Sequence, residues 1–340
     1  MTEPQSSDSP GNAIPDGAAA FLADAGWGSA TIDPLPGDAS FRRYFRVSGS
    51  PKKGGGSAML MHAPPPNEDP APFIRAARWL DQNAMRAPVI HAEDAAQGFV
   101  LIEDFGEVRM REYLDAWPQD ADEVYRTAID VLVDLHKLPA GPFTAYSLAE
   151  YLRETQLFVD WYCTAQRLYV DAKGWDAAWE EVLVQLLPRQ RPGVTVLRDY
   201  HAENIMLLGG TEQQGLLDFQ DALTGHPAYD LVSLLQDARR DVDEELEAAM
   251  FDHYIGQAKP GADFLDDYAR LGAQRNAKIL GIFVRLWKRD GKPRYLDYIP
   301  RVWKLMERDL AHPALEPVAR WFDANIPAEL RAAGGGSFAA

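Results

Sequence analysis

Asp199 and Asn204 stand five residues apart in LRDYHAENIM (Leu197–Met206), and a further acid, Asp218, follows in LLDFQ. Carboxylate and carboxamide oxygens are hard donors of the kind that suits magnesium, which keeps waters and phosphate oxygens in its other positions. Phosphoryl transfer asks little covalent work of a protein: an acceptor hydroxyl held in line, and metal held against the phosphates. The spacing offers Asp199 as the group that contacts the acceptor and Asn204 with Asp218 as ligands of Mg2+. The apolar runs VTVL and NIMLL flank the loop and predict short strands, so that Asp218 falls one hairpin later. An ordinary Asx-rich turn needs neither the strands nor the second acid.

The elements that must position these residues fall into two groups. SFRRYFRVS (Ser40–Ser48), the turn PKKGGG and SAMLMHA, halted by PPP, read as an antiparallel hairpin. DPAPFIRAARWLDQNAM reads as a helix with Asp69 as its N-cap, and GFVLIEDFG (Gly98–Gly106) as a buried strand. Beyond it the pattern turns helical: Val124, Ala128, Val131, Leu132 and Leu135 lie on one face, and helical signals run from Ser147 to Leu187. More helices follow Asp218. The predicted fold is α+β and bilobal, with a small sheet-rich N-terminal lobe (18–106) and a large helical C-terminal lobe (107–332). Two hairpin-like pieces, Val194–Leu208 and Gly215–Phe219, are expected inside the helical lobe, and a ligand in the cleft between lobes. Residues 1–17 read as a disordered leader and AGGGSFAA, over 333–340, as a flexible tail.

The 340 residues suffice for two lobes and a sizeable core, and 46% apolar with 25% charged residues is ordinary for a soluble protein. A net charge of −17 argues against nucleic-acid binding, which needs clustered Lys and Arg. One cysteine, Cys163, excludes an intrachain disulfide, and its aromatic surroundings predict inert packing in a reducing cytoplasm. No signal peptide and no apolar run of membrane-spanning length is expected. His62, His91, His136, His226, His253 and His312 show no metal-ligand spacing, which argues against zinc.

The loop LRDYHAENIMLL and the segment LLDFQDALTGHPAYDLVSLL resemble the catalytic loop and metal segment of aminoglycoside/choline phosphotransferase-like kinases, of protein-kinase-like fold. GDASFRRYFRV, LMHAPPP, LIEDFG and KILGIFVRLWKRDGKPRYLDYIPRVWKLMERDLAHPAL resemble, within that family, the bacterial anomeric kinases of cell-wall sugars. The likeness runs from about Ala18 to Leu315. It implies an ATP- and Mg2+-dependent kinase that phosphorylates N-acetylmuramate and N-acetylglucosamine at the C1 hydroxyl in peptidoglycan recycling. The product would pass to a sugar-1-phosphate uridylyltransferase. It also implies Asp199 as catalytic base, Asn204 and Asp218 as metal ligands, and Asp230 as a brace of the loop. Gly37, Asp38, Ala39 and Ser40 would cover the phosphates, and Ile102, Glu103, Asp104 and Phe105 would form the adenine hinge through their backbone.

Two departures from the family pattern stand out. Leu197 occupies the place of the usual loop histidine, where apolar packing can replace a brace. No lysine occupies the third strand, where Met61 or a neighbour falls; Arg43 or Arg46 is the expected source of positive charge, with Lys52 and Lys53 in a Gly-rich turn. The acceptor is read from charge. Between Arg285 and Lys304 seven basic residues, Arg285 and Lys288 among them, face two acids, a local excess of five positive charges. This favours an anionic sugar over an aminoglycoside or choline, although a solvated helix face is equally compatible. His201 and Glu203 complete the expected acceptor contacts, with loop bracing and solvent exposure as the alternatives. Kinases of another small-molecule hydroxyl and a non-catalytic pseudokinase scaffold remain the competing readings. The scaffold needs none of Asp199, Asn204 and Asp218.

Overall fold

Strand alternation organises the N-terminal part of the computed structural model, which describes residues 13–36, 42–49 and 56–338. Five strands, β1 (Thr31–Pro34), β2 (Arg43–Ser48), β3 (Ser57–His62), β4 (Ile90–Asp94) and β5 (Phe99–Glu103), form an antiparallel sheet ordered β1-β2-β3-β5-β4. Directly opposed residues share a face. Phe45 opposes Leu60, which opposes Leu101. With Val47, Ala58 and Phe99 these side chains pack on Phe21 and Leu22 of α1 (Ala18–Asp24) and on Trp27. The other face carries Tyr44, Met61 and Val100 in one row and Arg46, Met59 and Ile102 in the next. Gly98 at φ +78° lets the β4–β5 turn pass close to the chain leaving β3, because a Cβ there would lie 2.1 Å from the Ala63 carbonyl oxygen.

Helix α2 (Ala71–Gln82) buries Phe73, Ile74, Ala76, Ala77 and Leu80; its N-cap is Pro70 and not, as expected, Asp69, which stands one residue earlier and accepts from the Ala71 amide at 2.9 Å. The chain divides into two compact units: one through Val108 together with Gly215–Asp221, the other Arg109–Gln214 with the chain from Ala222 onward. The Asp218 segment therefore belongs with the sheet and not, as its place in the sequence suggested, with the helices. Its partners explain the difference: the Leu216 amide donates to Arg86 O at 2.8 Å, and Phe219 stacks on Phe73 with ring centroids 5.1 Å apart. The predicted phosphate loop, Gly37 to Ser40, and Lys52 and Lys53 lie outside the described residues.

The second unit is built from helices α3 (Met110–Ala116), α4 (Ala121–Lys137), α5 (Leu148–Leu157), α6 (Ala172–Leu183), α7 (Ala228–Leu235), α8 (Glu244–Ala258), α9 (Phe264–Asp290), α10 (Ile299–Leu310), α11 (Glu316–Asn325) and α12 (Ala328–Ala332). Short strands β6 (Val194–Val196), β7 (Ile205–Leu207) and β9 (Leu223–Gly225) interrupt them, β8 (Gln214–Leu216) leads into the segment assigned to the first unit, and β6 pairs with β9. The expected β6–β7 hairpin does not form. The intervening loop is held by other elements, and Val196 opposes Leu223 instead.

Helix α9 is the axis of this unit, buried along most of its length. Gly281 lets it approach the end of α5, since a Cβ there would lie 2.3 Å from the Leu157 backbone. A helix buried on all sides must pair its polar groups internally. Accordingly Asn276 donates to Gln236 at 2.9 Å and to Asp309 at 3.0 Å. Cys163 is buried in a π-helical turn, Phe158–Cys163, and burial pushes its thiol up to about 12, as inert packing requires. The chain after Ala332, expected to be flexible, is docked over its described residues: Gly335 O accepts from the Tyr162 hydroxyl at 2.6 Å, and Phe338 packs on Tyr162 and Trp287. No helix among the described residues is long and apolar enough to cross a membrane.

Candidate active site

Leu197 leaves β6 buried, and its amide donates to Asp230 at 2.6 Å; the Arg198 amide donates to the other oxygen at 2.8 Å. Asp230 sits fully buried in α7. Burial pushes its carboxyl up to about 7, against the downward pull of these two amides and of Arg275. It is the brace expected from the sequence, and Leu197 fills the histidine's place by packing alone. Arg198 adopts φ +72°, a left-handed conformation costing on the order of 1–2 kcal/mol for an L-residue. Its carbonyl oxygen accepts from Arg275 at 3.0 Å and Ser233 at 3.2 Å, and its guanidinium pairs with Glu154 of α5. Contacts from α5, α7 and α9 thus hold the strained residue that presents Asp199.

Asp199 lies 3.8 Å from the Arg275 guanidinium. Desolvation pushes its carboxyl up, but Arg275, Lys278, His201 and Arg198 outweigh that and hold it down at about 2. Lys278 is itself anchored by Glu154 at 2.8 Å and by the Tyr229 hydroxyl at 3.2 Å. Asn204 donates from Nδ2 to Asp199 O at 2.9 Å, which ties the two ends of the loop together. His201 is buried, and burial together with Arg239 holds its imidazole well below the ordinary value, so it is neutral near pH 7. Its Nε2 lies 3.3 Å from Arg239 Nη1, which assigns the ring proton to Nδ1. His201 is thus held within the loop by Arg239 and Asn204. Glu203 is held by Arg111 and, at 3.0 Å, by Arg239.

In the first unit Asp218 also takes a left-handed conformation, φ +57°, and its Oδ1 accepts from Gln220 at 2.7 Å. Two strained non-glycine residues, Arg198 and Asp218, mark the two motif segments; such strain concentrates where backbone must aim a side chain. Tyr44, Arg42, Glu68 and Asp218 form one electrostatic neighbourhood: desolvation raises the Tyr44 hydroxyl to about 12, with Arg42 opposing and Asp218 and Glu68 adding. Arg42 Nε lies 3.4 Å from Glu68. Met59 and Met61 occupy the corresponding face of β3, so the cation near Asp218 comes from the residue before β2.

The other expected nucleotide contacts are distributed differently. Arg43 lies on the α1 side of the sheet, donating to Ala13 O at 3.0 Å, with Nη2 3.2 Å from His62 Nδ1. Glu103 is gripped by Arg86 at 2.5 and 2.8 Å, Asp104 pairs with Arg46 at 2.9 Å, and the Phe105 ring lies under Arg86. These side chains brace the predicted hinge, leaving recognition there to its backbone. Arg285 and Lys288 are not gathered around Asp199. Arg285 is ten residues beyond Arg275, roughly 15 Å along the helix axis. Lys288 lies 3.7 Å over the Trp287 ring, beside a cavity of about 730 Å3 lined also by Trp161 and Arg167.

Sequence reasoning passed over Arg42, Arg111, Glu154, Arg239, Arg275 and Lys278. The one available signal was the three basic residues, Arg270, Arg275 and Lys278, in the apolar run ARLGAQRNAKIL, which a buried helix must neutralise. The donor set of the motif, an amide oxygen and a carboxylate, fits magnesium.

Residues 31–271 match the model of the phosphotransferase enzyme family, and the chain belongs to that family. It is 36% identical to N-acetylmuramate/N-acetylglucosamine kinase of Caulobacter vibrioides, over 92% of this chain and 97% of that protein. The protein of the same name from Pseudomonas aeruginosa is 39% identical, over 86% of this chain and 88% of its own. Among solved structures, a choline/ethanolamine kinase family protein from Mesorhizobium loti shares the fold, with a TM-score of 0.62, 16% identity and coverage of 91% and 99%.

The Arg275–Asp199 contact gives a pH prediction. Removing the cation lets the carboxyl rise from its depressed value, so the ionised form is lost at higher pH. In Arg275→Gln the acid limb of kcat/KM is expected to move upward relative to wild type. Superimposable limbs would show that Arg275 does not set the ionisation of Asp199.

Proposed function

We propose that the protein is an ATP-dependent sugar kinase that phosphorylates the anomeric hydroxyl of N-acetylmuramate and N-acetylglucosamine. One observation carries the reading: the chain matches kinases of that name over 86–92% of its length and carries the Asp199, Asn204 and Asp218 motif. Asp199, ionised and oriented by Arg275, accepts a hydrogen bond from the C1 hydroxyl and takes its proton as the oxygen attacks the γ-phosphorus. A hemiacetal hydroxyl is more acidic than an ordinary alcohol, so a weakly basic carboxylate suffices. Asn204 and Asp218 are the proposed ligands of magnesium, which when bound offsets the charge of the phosphates. The bond to the β-phosphate bridging oxygen breaks, and ADP leaves. The sugar 1-phosphate is chemically suited to nucleotidyl transfer, the reaction class of the expected uridylyltransferase.

Arg42 is the proposed phosphate-binding cation in place of the third-strand lysine, with Glu68 orienting it as an acid orients that lysine in kinase folds. Arginine offers a planar fork to phosphate oxygens where lysine offers a point charge.

Incubation with magnesium ATP and a panel of reducing and C1-blocked amino sugars tests the acceptor. Transfer is expected only to reducing sugars; phosphorylation of a C1-blocked sugar, or of an aminoglycoside alone, would falsify the anomeric reading. Asp199→Asn is expected to lose about 10²–10⁴-fold in kcat while ATP binding by calorimetry survives. Near-wild-type turnover in that variant removes the base assignment. Arg42→Gln is expected to raise the KM for ATP about tenfold or more, with the sugar KM little changed. An unchanged ATP KM would return the phosphate contact to another residue.

A further inference from the structure

Two guanidinium groups close on one carboxylate beside the catalytic loop. Glu203 Oε1 is paired with Arg111 of α3, and Oε2 with Arg239 Nε at 3.0 Å. The cluster is continuous with the reacting end of the loop. Asn204 bridges the Asp199 carbonyl and His201, His201 meets Arg239, and the Arg111 amide donates to Ala202 O at 3.1 Å.

Arg111 and Arg239 share one carboxylate, that of Glu203, as their close ion-pair partner. The neighbouring acids face other groups. Asp237 is buried and accepts from the Arg239 amide at 2.8 Å and the Ala202 amide at 3.3 Å. Asp115 pairs with Arg240, with Arg111 Nε only at 4.0 Å, and Asp241 is gripped by Arg301 at 2.5 and 2.7 Å.

Both guanidinium groups are reachable. The side chains of Arg111 and Arg239 are 30% and 23% exposed, whereas Arg275 is sealed at 4%. The Arg239 guanidinium lies 5.8 Å from the ring of buried Phe283, and the half-buried Tyr298 ring lies 5.7 Å from Phe283. An arginine fork matches a carboxylate in geometry and charge, and a few such polar groups fix the orientation of a bound small molecule.

We propose that Arg239 and Arg111 form the subsite for the carboxylate of an anionic acceptor sugar, with Glu203 holding both guanidinium groups in register when the sugar is absent. The proposal rests on the sugar-kinase reading above and adds the source of its preference: N-acetylmuramate differs from N-acetylglucosamine by a lactyl ether that ends in a carboxylate. Glu203 thereby acts as a positioning residue for the two arginines. The basic residues at the end of α9, Arg285 and Lys288, are not required for this discrimination.

The test compares kcat/KM for N-acetylmuramate and N-acetylglucosamine in wild type, Arg239→Gln, Arg239→Lys and Arg111→Gln. The N-acetylmuramate to N-acetylglucosamine ratio is expected to fall roughly 10- to 100-fold in Arg239→Gln, as for loss of a charged hydrogen bond. Arg239→Lys, which keeps the charge without the fork, is expected to recover part of it, and Arg111→Gln to lower the ratio from a different helix. Equal losses on both sugars in both glutamine variants, or an unmoved ratio, overturn the subsite and leave the arginines as loop braces. Wild type that phosphorylates neither sugar refutes instead the acceptor reading on which the subsite rests.

Discussion

The two hydrogen bonds that Asp230 accepts from consecutive amides, Leu197 and Arg198, are the constraint on which the loop carrying Asp199 depends. They turn the chain out of β6 and hold Arg198 in a conformation that an L-residue otherwise avoids. From that turn Asp199 projects into the group of cations that ionises it. Without the buried carboxylate, two amides would lose their acceptor inside the protein, a cost of about 1–3 kcal/mol each. The backbone would then relax toward a conformation that aims Asp199 elsewhere.

Glu154 plays a matching part on the side-chain level. It is 1% exposed and receives Lys278 at 2.8 Å, Gln274 at 3.0 Å, Arg198 and the Tyr146 hydroxyl. A buried carboxylate is tolerated when its lone pairs are filled this completely, and desolvation is outweighed so that it stays ionised, at about 2. The acidic excess of the chain therefore says little about the site. Basic side chains are drawn inward around the loop, and the acids that meet them there are few and fully engaged.

Legibility followed the range of the interaction. The motif of Asp199, Asn204 and Asp218 stands out because its spacing is local, and strands β2, β3 and β5 and helix α2 were readable because alternation and turn signals are local too; β1 and β4, short and half exposed, were not foreseen. The partner of β6 was not, because pairing with β9 depends on what holds the intervening loop. The allegiance of Gly215–Asp221 to the sheet unit depends on Arg86 and Phe73, far away in sequence. The sequence did not distinguish Arg42, here proposed for the phosphates, from Arg43 and Arg46, because only the sheet's two faces and Glu68 tell the three arginines apart. Arg239 and Arg111 carry no motif at all. The glycines after Ala332 suggested freedom, yet the aromatic side chains of Tyr162 and Trp287 supply a dock that composition cannot reveal.

Suspending one loop from α5, α7 and α9 has an inheritance-level consequence. Glu154, Lys278, Arg198 and Arg275 behave as a single unit of information, although they are scattered over more than a hundred positions. Drift at any one of them strands a charge at another, so viable sequences are reached by paired or triple changes and seldom by single steps. Homologues that retain this machinery should therefore vary at these positions in concert. A lone replacement of Glu154 or Lys278 in a natural sequence would mark a chain whose loop has already lost its work.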